Sequence, residues 1–255
     1  MNCYFATASY KRAENQRTVA YLERLGIEKE KIIVTVQTEE DLKEYTRQGI
    51  DKRVGRLIYR EGKNVSDNRN TILDNIPIGE KVVIFDDDIT AVYKLEKGKL
   101  KEIDTKEEFY RFLEYGFKLA EENSTIAFGV YPVFNAFFMK DAYRERNIIE
   151  GTLFAIINTE MRFNPEFSTK EDYEFSCRAI RKYGKLIRLD GYTCKAQHYS
   201  KGGCDEFWKD KETADSRGVI LAKTYPDIVE LNSARPGEIK MAKCRSDGMY
   251  QESLF

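Results

Sequence analysis

The sequence predicts an α/β protein built on a doubly wound, mostly parallel sheet, in a single domain with a small hairpin insertion and a C-terminal extension. Three observations carry that expectation. Short β-branched runs alternate with amphipathic segments over residues 1–60, the β-α-β-α-β order of a parallel sheet. The apolar run Val82-Val83-Ile84-Phe85 reads as a strand buried on both faces, and it runs straight into Asp86-Asp87-Asp88. Further polar clusters fall where such a sheet ends its strands, which is where open α/β sheets bind ligands.

Taken in order, residues 3–8 predict a first strand with two aromatics, ending in the polar and basic Ser9-Tyr10-Lys11-Arg12. Residues 14–25 predict a helix, with Val19, Leu22 and Leu25 at three-residue spacing and Gly26 as its stop. Residues 32–36 are a β-branched strand, and Thr38 then caps a helix with an acidic first turn. Residues 54–59 are a third strand. Residues 66–73 look like a capped helix start with Arg69 in its first turn; a cation there opposes the helix dipole and calls for an anionic partner. Gly79 closes that helix before the central strand.

After Thr90 the pattern changes. Residues 92–95 and 100–103 flank Glu96-Lys97-Gly98-Lys99, a hairpin signal. Thr105 caps a helix reaching Glu122, and residues 124–131 and 151–158 predict strands. The aromatic-rich residues 134–138 are assigned to the core, with an acceptor platform as the alternative. Glu171-Asp172 opens a helix to Tyr183, ended by Gly184. Residues 185–189 and 192–196 predict two short strands, followed by His198-Tyr199-Ser200-Lys201-Gly202-Gly203. Residues 209–223 predict a polar helix, and the chain from Pro226 either wraps the domain or is poorly ordered.

Composition narrows the class of protein. A chain of 255 residues, 42% hydrophobic and 33% charged, has enough apolar sequence for one full-sized core. Net charge is −1, so no global field draws it to nucleic acid, and contact with a nucleic acid would need a local patch. Lys94, Lys97, Lys99 and Lys101 on the hairpin could form one, or could be a solvated lysine face. No apolar run of about 18 residues predicts a membrane span. The first residues lack a signal-peptide pattern. Five widely spaced cysteines without a Cys-x-x-Cys pair read as reduced cytosolic thiols.

The polar clusters have complementary chemistry. Three adjacent carboxylates cannot lie unpaired in a core. They form either an acidic loop or a site for a hard divalent cation, which takes oxygen ligands and shares its other positions with phosphates. His198, the only histidine, is either a metal ligand or merely exposed. Arg69 and Lys201 could pair phosphates, and Gly202-Gly203 would let backbone N–H groups approach an anion, although a surface turn has the same composition. This inventory suits a nucleoside diphosphate bridged to Mg²⁺ or Mn²⁺. Glu171 or Asp172 could then remove a proton from an acceptor hydroxyl, although acids at a helix start also serve the dipole alone.

The order of these features resembles a GT-A glycosyltransferase, and in particular the phage TET-associated, DNA-modifying glycosyltransferases. Those enzymes pair an Arg-Asn helix start with an Asp-Asp-Asn strand end, then a Glu-Asp helix start and a Lys-Gly-Gly loop. Arg69-Asn70, Asp86-Asp87-Asp88, Glu171-Asp172 and Lys201-Gly202-Gly203 stand in that order, with Asp88 where the phage enzymes usually carry Asn. The resemblance implies a GT-A domain over residues 1–204, with a nucleotide-binding half (1–90) and an acceptor half (91–204), and a C-terminal helix and tail over 205–255. It implies metal-dependent transfer of a hexose or pentose from a nucleotide sugar, by preference a UDP-sugar, with inversion. Asp88, Asp86 and His198 would hold Mn²⁺ or Mg²⁺. Ser9, Lys11, Arg12, Arg69, Asp86, Lys201, Gly202 and Gly203 would bind the donor, and Asp172, or else Glu171, would be the base. The implied acceptor is a 5-hydroxymethylpyrimidine in phage DNA, in the host cytoplasm. A protein, glycan or small-molecule acceptor is the alternative, and a non-catalytic nucleotide-binding protein a further one.

Overall fold

The computed structural model describes residues 1–197, 211–235 and 237–242. His198, Lys201, Gly202 and Gly203 lie outside the described residues. Four parallel strands form one half of the sheet, in spatial order β3 (Arg56–Tyr59), β2 (Ile32–Val36), β1 (Tyr4–Ala8) and β4 (Lys81–Phe85). The ten-stranded sheet continues through β9 (Leu153–Ile157), β7 (Ala127–Tyr131), β10 (Ile187–Ala196), β5 (Ile89–Glu96) and β6 (Lys99–Glu102), with β8 (Tyr143–Arg144) beside β10. Strands β1, β2, β3, β4, β6, β7 and β10 run one way; β5, β8 and β9 run the other. One edge therefore collects the C-terminal ends of β1, β4, β7 and β10 and the start of β9.

The central strand shows why the sheet is covered on both sides. Val83 and Phe85 join Phe5, Val34 and side chains of α1 (Arg17–Arg24), α2 (Glu39–Arg47) and α5 (Lys106–Glu122) in one core. Val82 and Ile84 point the other way. They join Ala6, Ile33 and side chains of α4 (Val65–Asp74), α6 (Glu171–Tyr183) and α7 (Lys211–Thr224). This is the two-residue alternation of strand side chains applied to a run apolar on both faces.

Several expectations meet the structure closely. Thr38 and Thr105 cap α2 and α5, their side chains accepting from the N–H groups of Asp41 and Glu108 at 3.0 and 3.2 Å. Lys97 and Gly98, both at positive φ, form the two-residue turn between β5 and β6.

Others are corrected. The hairpin is the edge of the main sheet, because β5 pairs along β10. The helix expected over 14–25 is a 3-10 turn, Ala13–Asn15, followed by α1. Asn64, not Ser66, caps α4, accepting from the N–H groups of Ser66 and Asp67. Residues 185–196 hold one long strand, β10, whose register shifts between Leu189 and Thr193 instead of breaking at Gly191. A single-turn helix, α3 (Ile50–Arg53), and the short β8 carry no sequence pattern and are new. The segment after Pro226 forms a hairpin of β11 (Val229–Leu231) and β12 (Ile239–Met241), packed into the second core through Ile228, Val229 and Ile239. Among the described residues, no helix is long and apolar enough to cross a membrane.

Candidate functional site

The Asp86-Asp87-Asp88 turn joins β4 to β5, and α1 holds it from below. The Thr18 hydroxyl donates to the Asp86 carbonyl at 2.5 Å and accepts from the Ile89 N–H at 3.1 Å. Asp87 points inward. It accepts from the Ser9 hydroxyl at 2.6 Å and from Arg12 Nη1 at 2.9 Å. The same Arg12 nitrogen lies 3.0 Å from Asp88 Oδ2. Ser9 also meets Tyr45 and Gln16 in a buried network. Burial raises the Asp87 carboxyl to about 6, against the pull of Arg12 and the Ser9 hydroxyl.

Ser9 and Arg12 therefore face the protein, where the resemblance had placed them beside a nucleotide. Adjacent carboxylates packed under a helix need donors, and these two residues supply them. Lys11 is the exposed member of the segment; its N–H donates to Asp41 at 3.1 Å.

Arg69 is the second organising residue. Its guanidinium is nearly buried and donates to Glu171 Oε1 at 2.7 Å and to Asp86 Oδ1 at 3.0 Å. Because α4 starts at Val65, Arg69 lies in its second turn and not its first; it is burial, not the helix dipole, that demands an anion, and a pair of the protein's own carboxylates supplies it. Around it, α4 is pinned to both neighbours. Asn68 donates to the carbonyls of Ser9 and Thr35. Asn64, Ser66 and Asn70 bond the backbone of Pro165, Phe167 and Phe163, in the loop that leads into α6. Gly151 lies against the guanidinium: a Cβ there would sit 2.4 Å from Arg69 Nη2. Gly151→Ala is expected to cost about 1–3 kcal/mol in a urea titration, as overpacking against a paired, immobile group does.

Asp172 starts α6 beside Glu171. Its two oxygens accept from the N–H groups of Gly151 and Tyr173, at 2.7 and 2.8 Å. Desolvation raises Glu171 and Asp172 together, with Arg69 pulling both down. Desolvation also raises Asp86, and Asp88 and Asp172 add to that rise. The structure thus brings Asp86, Asp88, Arg69, Glu171 and Asp172 to one edge of the sheet.

It adds a carboxylate that carries no sequence motif, Glu150. Desolvation and the nearby Asp172 raise Glu150 to about 7, while a hydrogen bond with the Tyr173 hydroxyl opposes the rise. A carboxyl raised in the native state contributes stability that is full below its ordinary value of 4.5 and lost as pH rises to about 7. Glu150→Gln is therefore expected to raise Tm at pH 8 by about 2–4 °C and to leave it unchanged near pH 4.5.

The aromatic loop after β7 is a further correction. Residues 133–138 are not core: Val133, Phe134 and Phe138 are exposed and Phe137 is 85% exposed. Ala136–Phe138 form one 3-10 turn, too short to carry a period that shows which way it faces. Phe134 packs edge-on against Tyr93 at 4.8 Å, and Lys195 lies over its ring. Lys195 is two residues from Gln197, whose N–H donates to the Asp88 carbonyl at 3.0 Å, so the loop adjoins the carboxylate edge. On the hairpin, Lys94 pairs with Glu96 and Lys101 with Glu108.

Known structures share this architecture. The chain matches residues 1–349 of TarS from S. aureus at 13% identity and a TM-score of 0.51, over 92% of this chain and 68% of that one. The mannosyltransferase PcManGT from Pyrobaculum calidifontis, solved with GDP-Man and Mn²⁺, matches at 16% identity and a TM-score of 0.56, over 88% of this chain and 64% of that one. Glucosyl-3-phosphoglycerate synthase from Mycobacterium tuberculosis, solved with Mn²⁺, UDP and glucosyl-3-phosphoglycerate, matches at 11% identity and a TM-score of 0.50, over 91% of this chain and 81% of that one. The fold is GT-A. No protein-family model and no curated protein matches the sequence.

Two of these structures hold Mn²⁺; in this chain the carboxylates that follow a central strand are those of the Asp86–Asp88 turn. Among the described residues, no three carboxylate, imidazole or thiolate groups converge to cage a metal. The Asp86 side chain is 41% exposed, whereas Asp88 is buried with Oδ2 on Arg12, so Asp86 offers the open oxygens and Asp88 the neighbouring ones. Desolvation raises the Asp86 carboxyl, Arg69 pulls it down, and Asp88 and Asp172 add smaller rises. A cation would favour its charged form. Few protein oxygens, with the remaining positions left to water and phosphate, is the arrangement Mg²⁺ and Mn²⁺ take with nucleotides.

Proposed function

We propose that the protein is a metal-dependent glycosyltransferase that moves a sugar from a nucleotide sugar, by preference a UDP-sugar, to a hydroxyl acceptor. The observation that carries this reading is the carboxylate edge itself. Asp86 and Asp88 at the end of β4 meet Glu171 and Asp172 at the start of α6 across one buried arginine, in a GT-A sheet. The complexes of two matching structures with GDP-Man or UDP and Mn²⁺ support it.

Each group has a role in this reading. Asp86 and Asp88 hold Mn²⁺ or Mg²⁺, which when bound stabilises charge on the departing diphosphate. Asp172 is the base, or else Glu171. It takes the acceptor's proton as the acceptor oxygen bonds to the anomeric carbon and the bond to the donor phosphate oxygen breaks, with inversion. Two backbone N–H groups hold Asp172 in a fixed orientation for that task. Arg69 aligns Asp86 and Glu171 and faces the donor. Lys11, Lys201, Gly202 and Gly203 bind the donor's polar groups, and His198 completes the metal shell; Ser9 and Arg12 act by holding the aspartate turn.

The acceptor proposed is a 5-hydroxymethylpyrimidine in DNA. The order of the motifs favours it, and so do the exposed Phe134, Phe137 and Phe138 beside Lys140 and Lys195, which suit a base taken out of the stack. The paired lysines of the hairpin take no part in it. A protein, glycan or small-molecule acceptor is the second reading; the glucosyl-3-phosphoglycerate bound in one matching structure favours a small molecule among these. The test is mass spectrometry of hydroxymethylcytosine-containing DNA incubated with a panel of nucleotide sugars and Mn²⁺. A mass gain on the base is expected. Full turnover in EDTA would overturn metal dependence, and turnover only with other acceptors would overturn the DNA assignment. Phe137→Ser is expected to change stability by no more than about 0.5 kcal/mol by urea titration, because the ring is solvated in the free protein.

A further inference from the structure

The C-terminal hairpin carries a charge that reaches the start of α6. Lys170, the residue before Glu171, sits in the left-handed region at φ 59°. That conformation is uncommon for a side chain other than Gly, Asn or Asp and is held only where the surroundings impose it. The lysine is also buried, with its side chain 3% exposed. Its ammonium lies 3.1 Å from Glu238 Oε1 and 5.5 Å from the centre of the Tyr173 ring. Its carbonyl accepts the first helical hydrogen bond of α6, from the Glu174 N–H at 3.0 Å.

The backbone of Glu238 is held from its own side, while its side chain is 41% exposed. It precedes β12; its N–H donates to the Arg235 carbonyl at 3.1 Å and its carbonyl accepts from the Asn232 N–H at 2.8 Å. The hairpin is anchored in the core through Val229 and Ile239. A buried ammonium needs a fixed anionic partner, and a partner on a rigid hairpin fixes where the ammonium, and hence its backbone, stands.

We infer that Glu238 is a positioning residue: through Lys170 it sets the first turn of α6, and with it the aim of Glu171 at Arg69 and of Asp172 at the Gly151 and Tyr173 N–H groups. The C-terminal hairpin is then a working part of the site. This rests on the glycosyltransferase reading only for its effect on turnover.

Two measurements test it separately. In Glu238→Ala, amide hydrogen exchange at Gly151 and Tyr173 is expected to become about 10-fold faster, while that of Ala179 and Ile180 later in α6 stays unchanged. Lys170→Gly keeps the left-handed backbone and removes the ammonium, so it is expected to show the same local change. The double variant is expected to be no worse than either single one, because both remove one interaction. With a nucleotide sugar, kcat is expected to fall about 10-fold while the donor KM stays within about 2-fold, the mark of a misaimed group and not of lost binding. Unchanged exchange at Gly151 and Tyr173, equal acceleration along the whole of α6, strictly additive variants, or an unchanged kcat in an active enzyme would each overturn the inference. If the unaltered protein turns over no donor, the glycosyltransferase reading fails, and the exchange data still decide whether Glu238 sets the turn.

Discussion

Arg69→Ala is expected to remove about 3–5 kcal/mol of stability at pH 8, the cost of breaking a buried ion pair from one side. The guanidinium is 4% exposed and holds Glu171 and Asp86, two carboxylates on different elements. Without it, Glu171 would keep a buried charge with no counter-charge, and its pKa, already raised by desolvation, would rise further. The sign of the pH effect follows. Protonation neutralises the stranded acid, so the loss is expected to be smaller at pH 5 than at pH 8, and urea titrations at the two pH values check it. Arg69→Met combined with Glu171→Gln is expected to recover part of the loss, since removing both partners leaves no unpaired charge. Equal losses at both pH values would mean that Arg69 acts by packing alone.

The largest effect on activity is expected at Asp88. If Asp88 holds the proposed metal, Asp88→Ala should lower kcat by about 10³-fold or more, the scale of removing a group that stabilises charge in the transition state, and should abolish the rise in Tm expected on adding Mn²⁺ to the unaltered protein. The fold should tolerate the change, because Arg12 keeps its bond to Asp87 at 2.9 Å and the Thr18 cradle holds the turn through backbone atoms. Asp87→Ala is expected to do the reverse in stability. It removes the buried acceptor shared by Arg12 and the Ser9 hydroxyl and leaves Arg12 with Asp88 and Ser9 with Tyr45 and Gln16, a loss of about 1–3 kcal/mol. A Mn²⁺-induced Tm rise that survives in Asp88→Ala would remove Asp88 from the metal site.

The contrast between these neighbours shows where sequence reading ends. Three consecutive aspartates at the end of an apolar strand announce a polar edge, because unpaired carboxylates cannot be buried. Which of them faces in depends on Ser9, 78 positions away, and on Arg12, 75 positions away. Arg69 is similar: once buried it needs an anion, but Glu171 is 102 positions distant and no local pattern names it. Glu150 and Glu238 carry no motif at all. Their importance comes from burial and from what packs against them.

By itself the sequence determined the features that depend on neighbours a few residues apart. These are the strands β1 to β4, set by β-branched and apolar runs; the caps at Thr38 and Thr105; the Lys97-Gly98 turn; and the α/β layering that puts Asp86–Asp88 and Glu171–Asp172 at strand and helix ends. Only the tertiary structure decided the outward face of Phe137, the continuity of β10 through Gly191, the hairpin at the C-terminus and the carboxylate pair shared by Arg69. The physical reason is range. Periodicity and capping act within one or two turns of chain, whereas a buried charge is neutralised by whatever group the fold brings within about 3 Å, whatever its distance in sequence.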